Sequence, residues 1–222
     1  MINVIKVKGR DEGNLKAHDL LKDLVDNRTL LALSGGTSPD YRKMIVEHAD
    51  ILPGAVCMVD ERFGVLKEES NEYKLREESV TDFLESKNIA FYKILRGKGF
   101  GETAKDYDGQ IRDLFAKFPK KVGITGVGEN LHTAGLFPNS EAMHWPHYVV
   151  YETVVDQFRQ RISLSLKALG EFDNFVILVF GSAKRNVLKL LLDEDENNMQ
   201  KYPAIFYRKC KAHCWLITDI AI

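Results

Sequence analysis

The chain has 222 residues, of which 45% are apolar and 28% charged, and its formal net charge at pH 7 is −1. These values are typical of a soluble globular protein, and they exclude the strongly basic surface on which nucleic-acid binding depends. No apolar run is long enough to span a membrane, and the first residues lack a signal-peptide pattern, so we expect neither nucleic-acid nor membrane partners. Three cysteines, an odd number, make a disulfide framework unexpected and favour a cytoplasmic location.

Short apolar runs alternate along the chain with longer amphipathic segments, a pattern that predicts strands followed by helices. The predicted strands cover 2–7, 29–34, 55–60, 89–95, 121–128, 147–153, 161–169, 174–181 and 212–220. The predicted helices cover 14–27, 39–48, 69–85, 102–118 and 182–194. This order predicts a single α/β domain over residues 1–222, with a doubly wound, mostly parallel sheet, helices on both faces, and room for a small helical or β excursion.

Polar or glycine-rich residues follow four of the predicted strands. The four segments are Ser34-Gly35-Gly36-Thr37, Asp60-Glu61-Arg62, Gly126-Val127-Gly128-Glu129 and Gly181-Ser182-Ala183-Lys184. Ligands of open α/β sheets bind outside the carboxyl ends of the strands. We therefore expect the four segments to meet at one edge of the sheet.

Three of these segments are suited to an anion, and each also has a purely structural interpretation. Gly35, Gly36 and Thr37 precede a predicted helix, where free amides favour a phosphate, although a tight turn also needs glycine. Arg62 has a planar fork that matches a phosphate, although such triplets commonly form surface ion pairs. Lys184 adds a point charge one turn into a helix, or is a solvated side chain.

The stretch GVGENLHTAGLFPNS, residues 126–140, contains a histidine in a glycine-bearing loop. An imidazole with a near-neutral pKa is suited to removing a proton from water, although a lone histidine is more often structural. The C-terminal CKAHC, residues 210–214, offers too few ligands for a zinc site without a distant second pair. We expect no metal and interpret these residues as strand and loop.

Taken in order, five motifs resemble those of the 6-phosphogluconolactonase family, which is related to the glucosamine-6-phosphate isomerase/deaminases. They are LALSGGTSP, VDERF followed by Ser70-Asn71, GVGENLHTAGLFPNS, RISLSLKAL and LVFGSAK, and the resemblance runs from about residue 29 to the end. It implies hydrolysis of 6-phosphoglucono-δ-lactone in the pentose phosphate pathway, without metal or organic cofactor. The implied partner is a phosphorylated sugar lactone, and we expect a monomer or homodimer.

The resemblance also assigns roles to individual residues. His132 would be the base that activates water. Gly35, Gly36 and Thr37, together with Arg62 and Lys184, would hold the sugar phosphate. Gly126 and Gly128 would shape the turn that the substrate approaches, with their amides available to a developing oxyanion. The set of expected substrate-binding residues is completed by Asp60, Asn130 and Arg161.

The loop departs from the family pattern Gly-Glu-Asp-Gly-His-Thr-Ala-Ser-Leu-Phe-Pro at three positions. Asn130 replaces the aspartate, Leu131 the glycine and Gly135 the serine. A neutral asparagine orients an imidazole but does not stabilise an imidazolium as a carboxylate does. Two alternatives therefore stay open, namely an isomerase or deaminase that uses Asp60 or Glu61 to move a proton, and a phosphosugar-binding protein without catalysis.

Overall fold

A computed structural model describes residues 2–221 of the chain. The strands are β1 (Ile2–Lys6), β2 (Thr29–Leu33), β3 (Ala55–Met58), β4 (Asp60–Phe63), β5 (Ala90–Tyr92), β6 (Lys120–Gly126), β7 (Val149–Thr153), β8 (Gln160–Leu164), β9 (Asn174–Val179) and β10 (His213–Thr218). The α-helices are α1 (Arg10–Leu24), α2 (Asn71–Glu77), α3 (Val80–Ser86), α4 (Phe100–Lys117), α5 (Leu166–Leu169), α6 (Arg185–Leu192) and α7 (Phe206–Lys209). None of the helices within this part of the chain is both long and apolar enough to cross a membrane.

Seven strands form one sheet in the order β1-β10-β9-β6-β2-β3-β5, and every pair in it is parallel. The chain moves outward from β2 through β3 to β5 and then returns to the other side of β2 as β6. The loops after β2 and β6 consequently diverge and leave a crevice at this switch point. The predicted doubly wound, mostly parallel α/β sheet is confirmed.

A second sheet of three antiparallel strands, in the order β4-β8-β7, accounts for the predicted small excursion. The chain passes from one sheet to the other at Val59. Its amide donates to the carbonyl of Leu33 in β2 at 2.8 Å, and its carbonyl accepts from the amide of Leu164 in β8 at 2.8 Å. The small sheet is thus joined to the carboxyl end of the main sheet, beside the crevice.

Burial explains why the apolar runs form the centre of the main sheet. Every residue of β2 and of β9 is buried, as predicted for parallel strands covered on both faces. From α4, the hydroxyl of Tyr107 donates to the carbonyl of Met58 and accepts from its amide, at 2.7 and 2.9 Å. This contact holds α4 against β3.

Most predicted boundaries shift by a few residues, and the predicted strand 55–60 is divided at Val59 between β3 and β4. Three further elements are wrong in type or continuity. The predicted strand 161–169 ends at Leu164, because the Ser165 hydroxyl accepts from the amide of Ala168 and begins α5. The predicted helix 69–85 is divided into α2 and α3 at Ser79, whose φ is +61°. The predicted helix 39–48 shrinks to a turn of π-helix, Arg42–Val46.

Candidate active site

The four strand-end segments meet at the switch point and line a cavity of about 330 Å³. Ten of the eleven predicted site residues line it, namely His132, Gly35, Gly36, Thr37, Asp60, Arg62, Gly126, Gly128, Arg161 and Lys184. Asn130 does not line the cavity but contacts His132 from the solvent side. The structure therefore brings together side chains from β4, β8 and the loops after β2, β6 and β9.

The His132 ring has a defined tautomer because of Asn130. Oδ1 of Asn130 lies 2.7 Å from Nδ1 of the ring and also accepts the backbone amide of His132 at 3.1 Å. A backbone amide only donates, so the atom that faces both groups is the oxygen of the side-chain amide. Nδ1 therefore carries the hydrogen, and Nε2 keeps the lone pair that a base needs.

Close packing fixes the position of the imidazole. It stacks on Phe137 with the ring centroids 4.5 Å apart, and a Cβ added at Gly128 would overlap its Nδ1 and Cε1 atoms. Burial, with a further contribution from the Arg161 charge, lowers the pKa of His132 to about 4. The ring is consequently neutral at physiological pH, which is the form that accepts a proton.

The loop after β2 is held from outside the cavity. Gly36 has a φ of +91°, a conformation that favours glycine. Lys74 donates to the carbonyls of Gly36 and Pro39, and Arg10 donates to those of Ser38 and Pro39. These two cations, which were not among the predicted site residues, fix the loop. The predicted helix N-terminus is absent at this place, because the π-helical turn begins only at Arg42.

Asn71 ties this loop to the start of β4. Its Nδ2 donates to the carbonyl and to Oδ2 of Asp60 at 3.0 and 3.2 Å. Its side chain fills the space in which a Cβ on Gly35 would lie. The pKa of Asp60 is raised by burial, against the lowering effect of Arg161 and Arg62. Asp60 is thus a buried group that positions the cavity wall.

Arg62 and Arg161 face each other across β4 and β8. The Arg62 guanidinium lies 4.0 Å above the Phe158 ring, and its Nη1 donates to the carbonyl of Glu69 at 2.8 Å. Its Nε is buried and has no hydrogen-bond partner within residues 2–221. Burial, followed by the Arg161 charge, lowers the pKa of Arg62. Because both arginines line the cavity, an anion there would neutralise the two adjacent cations.

The other two cations that line the cavity, Arg161 and Lys184, already donate some of their hydrogen bonds to protein groups. Arg161 donates from Nε to the carbonyl of Phe158 at 2.9 Å and from Nη2 to the carboxylate of Asp156. Lys184 donates to the carbonyl of Val127 at 2.6 Å, and burial lowers its pKa. Both side chains line the cavity with these contacts in place.

Glu61 lies outside the cavity, although it follows Asp60 directly. Its Oε1 accepts from the amides of Asn71 and Arg62 at 2.7 and 2.8 Å, and its Oε2 accepts from that of Glu72 at 2.9 Å. These bonds join β4 to the first turn of α2. Burial raises the pKa of Glu61 to about 7.

The other two departures in the histidine loop, Leu131 and Gly135, have different structural consequences. Leu131 has a φ of +60°, a conformation in which glycine is favoured, yet its side chain is buried. A Cβ on Gly135 would lie 2.9 Å from Cβ of Ser163, whose hydroxyl accepts the Gly135 amide at 2.9 Å. The space that a serine at position 135 would need is therefore taken by Ser163.

One expectation for the glycine loop is wrong. The Gly128 amide donates to the carbonyl of His132 at 2.9 Å and is not free for an oxyanion. Gly126 also has a smaller role than expected, because a Cβ there would approach only the carbonyl of Leu178, at 3.6 Å. Gly128 is thus the glycine that the histidine requires.

Several residues of the cavity were not predicted from the sequence. Asp156, Gln157 and Phe158 come from the turn between β7 and β8, and Ser38 lies in the loop after β2. Ser34 was predicted at this edge of the sheet but was given no role. The turn carries no recognisable motif, so only the tertiary structure places it here. Asn71 was visible in the Ser70-Asn71 pair after VDERF but was not assigned to the site.

A larger groove of about 750 Å³ adjoins the cavity and shares Gln157 and Phe158 with it. Among the residues that the structure describes, the charged ones that line it are Glu69 and Arg159. Within residues 2–221, no group of three or more histidine, cysteine or acidic side chains is arranged to hold a metal ion. The smaller cavity therefore has the chemistry suited to an anionic ligand.

A doubly wound parallel sheet with a histidine and three cations at its switch point defines an α/β protein whose cleft suits an anionic small molecule. The chain belongs to the glucosamine-6-phosphate isomerases/6-phosphogluconolactonase family, whose model matches residues 15–215. The family resemblance found in the sequence is thereby confirmed.

Relatives of both named kinds occur. The chain is 21% identical over 207 residues to a glucosamine-6-phosphate deaminase of Enterococcus faecalis, covering 86% of this chain and 87% of that protein. It is 25% identical over 232 residues to a probable 6-phosphogluconolactonase of Dictyostelium discoideum, covering 94% and 97%. The crystal structure of 6-phosphogluconolactonase from Leishmania guyanensis superposes with a TM-score of 0.82 at 21% identity, covering 98% and 96%.

Proposed function

We propose that the protein hydrolyses 6-phosphoglucono-δ-lactone to 6-phosphogluconate, with His132 as the general base. The observation that carries this proposal is the Asn130 contact, which leaves Nε2 of a neutral imidazole with its lone pair inside a cation-lined cavity. A base of this kind contributes roughly a hundred- to ten-thousand-fold to a rate. That contribution, with correct positioning, suffices for a reactive lactone without a covalent intermediate.

The phosphate is proposed to bind between the small sheet and the loop after β2. Arg62 lines the cavity, and Lys184 keeps donors beyond its bond to the Val127 carbonyl. Gly36 and Thr37 line the same cavity and are exposed. Binding the phosphate far from the ester would orient the lactone ring against His132.

In the reaction, His132 Nε2 removes a proton from water as the water oxygen attacks the lactone carbonyl. The resulting oxyanion needs a donor other than the Gly128 amide, which is already engaged. Arg161 supplies one, because its Nε and Nη2 are used by Phe158 and Asp156 while its Nη1 is not. Collapse of the intermediate breaks the ring ester bond, and the imidazolium returns its proton to the leaving oxygen.

The isomerase or deaminase alternative requires a carboxylate that shuttles a proton between neighbouring carbons. The Glu61 carboxylate accepts hydrogen bonds from three backbone amides and lies outside the cavity. Asp60 accepts from Asn71, and its burial makes it part of the wall. Position 130 carries an amide, which does not titrate. The arrangement of these three residues supports the lactonase over the deaminase.

The test is turnover of freshly generated 6-phosphoglucono-δ-lactone, corrected for spontaneous hydrolysis. The wild type is compared with His132→Ala, and His144→Ala serves as a control because this histidine is exposed and lies outside the cavity. We expect His132→Ala to lose at least a hundred-fold in kcat, and His144→Ala to keep its activity. Ammonia release from glucosamine 6-phosphate is measured in parallel.

Each of the other outcomes contradicts the proposal. Ammonia release without lactone hydrolysis would assign the deaminase reaction. Binding of 6-phosphogluconate without turnover of either substrate would assign a phosphosugar-binding protein. Equal lactonase activity in the wild type and His132→Ala would remove His132 from the mechanism.

A further inference from the structure

Two cysteines lie in contact on the side of the main sheet that carries α7. Cys210 follows the end of α7, and Cys214 is the second residue of β10. Their Sγ atoms are 3.7 Å apart, and both are free thiols. The two sulfurs of a disulfide are about 2.05 Å apart, so a small movement of the two side chains brings these sulfurs to bonding distance. These are the cysteines of CKAHC, which the proposed hydrolysis does not use.

The two thiols differ in a way that fits stepwise oxidation. Cys210 is partly exposed, whereas Cys214 is buried. The hydrogen bond with Cys214 lowers the pKa of Cys210, and the same contact, with burial, raises that of Cys214. The accessible thiol is therefore the more readily ionised one, as attack on an external disulfide requires.

The third cysteine does not share these properties. Cys57 is fully buried within β3, and burial raises its pKa to about 12. It is therefore inert towards oxidants that reach Cys210, and it serves as an internal reference.

Cys210 is joined to the candidate active site through Tyr207. The Cys210 thiol donates to the carbonyl of Tyr207 at 3.7 Å. The Tyr207 hydroxyl is bonded to Oγ1 of Thr133 at 2.6 Å and to Oγ1 of Thr125 at 2.8 Å, all within buried surroundings. Thr133 is the residue after His132. Movement of the Cys210 thiol towards Cys214 weakens its hydrogen bond to Tyr207, which is the first contact in the series that leads to Thr133.

We propose that Cys210 and Cys214 form a reversible disulfide, and that its closure changes the environment of His132 through Tyr207 and Thr133. The oxidant is a low-molecular-weight disulfide such as glutathione disulfide. The Cys210 thiolate attacks one sulfur of this molecule, which gives a mixed disulfide and releases one glutathione thiolate. Cys214 then loses its proton and attacks the Cys210 sulfur, which releases the second glutathione. Two protein thiols are oxidised, and one glutathione disulfide is reduced to two glutathione molecules.

Ready reversal follows from the small size of the closed ring. Only residues 210–214 lie within it, and a short loop gives a disulfide little entropic stabilisation. The bond is therefore expected to open in reduced glutathione. This behaviour is typical of a redox-responsive pair and not of a structural disulfide.

The linkage is tested on the full chain by incubation with glutathione disulfide, blocking of free thiols, and trypsin digestion. Cleavage after Lys209 and Lys211 separates the two cysteines, so that a disulfide joins peptide 210–211 to peptide 212–222. We expect this linked pair in the wild type and in Cys57→Ala, with loss of two of the three free thiols in the wild type and recovery after reduction. Separate peptides, or a Cys210 that stays coupled to glutathione, would overturn the proposal.

The effect on His132 is measured by imidazole NMR resonances, assigned with His132→Ala. Oxidation is expected to shift the His132 resonances in the wild type and to leave them unchanged in Cys210→Ser. An unchanged His132 signal in protein with the linked peptides would overturn the coupling. Neither measurement depends on turnover, so both are independent of whether the protein hydrolyses the lactone.

Discussion

Replacement of Asn130 by aspartate tests the proposed role of His132 most directly. The Oδ1 atom of Asn130 lies 2.7 Å from Nδ1 of the ring, so a carboxylate of nearly the same shape would accept the same hydrogen bond with a full negative charge. A hydrogen bond to a charged group contributes about 2 kcal/mol where a neutral one contributes about 1 kcal/mol. Asn130 is exposed, so solvent screening keeps the gain at about 1 kcal/mol.

That difference has two measurable consequences. The imidazolium is stabilised in the folded protein, so the pKa of His132 rises from its value of about 4 by about 0.7 unit. The same stabilisation applies to the imidazolium that forms as water attacks, so kcat rises by about 5-fold. The acid limb of kcat/KM, which reports the free enzyme, moves to higher pH together with the pKa.

The assay is lactone hydrolysis between pH 4 and pH 8, with the His132 pKa followed separately by NMR. Asn88→Asp is the matched control, since Asn88 is exposed and precedes β5 at the opposite edge of the sheet. An unchanged His132 pKa in Asn130→Asp would refute the hydrogen-bond assignment. A raised pKa with a slower reaction at pH 8, where the ring is neutral in both proteins, would refute the role of His132 as a base.

Four further expectations concern single positions. Gly128→Ala displaces the His132 ring and should reduce kcat by at least ten-fold, whereas Gly126→Ala should keep most of it, because a Cβ there meets only ordinary contacts; equal losses would contradict this. Leu131→Gly relieves a φ of +60° that costs about 1–2 kcal/mol but removes a buried side chain worth more, so the melting temperature should fall by several degrees; a rise would show that strain dominates. Glu61→Ala leaves three amides without their acceptor and should lower the free energy of unfolding by at least about 2 kcal/mol in chemical denaturation; an unchanged value would mean that water replaces the carboxylate. Because the His132 pKa is lowered to about 4, the unfolded chain binds the extra proton, and the contribution of His132 to stability should decrease from about pH 6.5 to pH 4; it is measured as the difference in unfolding free energy between the wild type and His132→Ala, since the raised pKa of Glu61 acts in the opposite direction in both proteins.

Short-range patterns predict the main sheet well, because each strand carries its own signal. After Thr29 and Asn174, all residues of β2 and β9 are apolar, and Ser34-Gly35 and Gly181-Ser182 come soon after them, so both the strands and the edge expected to bind ligands can be predicted. The order of the strands places the loops after β2 and β6 at the switch point. The fold and most of the cavity wall follow from these local features.

What the sequence does not reveal depends on contacts between distant segments. The alternation in HYVVYET and RISLSLKAL predicts strands but not that they pair with each other and with DERF in a separate sheet. Phe158 reaches the cavity only because that pairing exists, and Asn71 matters because its side chain fills the space beside Gly35. The sequence after Pro39 likewise favours an ordinary helix, and no local signal distinguishes the π-helical turn Arg42–Val46 that forms there.

Because the chain passes from one sheet to the other at Val59, the residues that line the cleft belong to two different sheets. Arg62 and Arg161 belong to the antiparallel sheet, while His132 and Lys184 follow strands of the parallel one. In the proposed function the phosphate is therefore held from both sheets, by Arg62 of one and by Lys184 after a strand of the other, whereas the base His132 belongs to the parallel sheet alone. Substitutions in β4, β7 or β8 are able to alter which ligand is preferred while the packing of His132 on Gly128 and its bond to Asn130 stay intact. Such modularity suits a scaffold whose relatives carry the names of two different sugar-phosphate reactions.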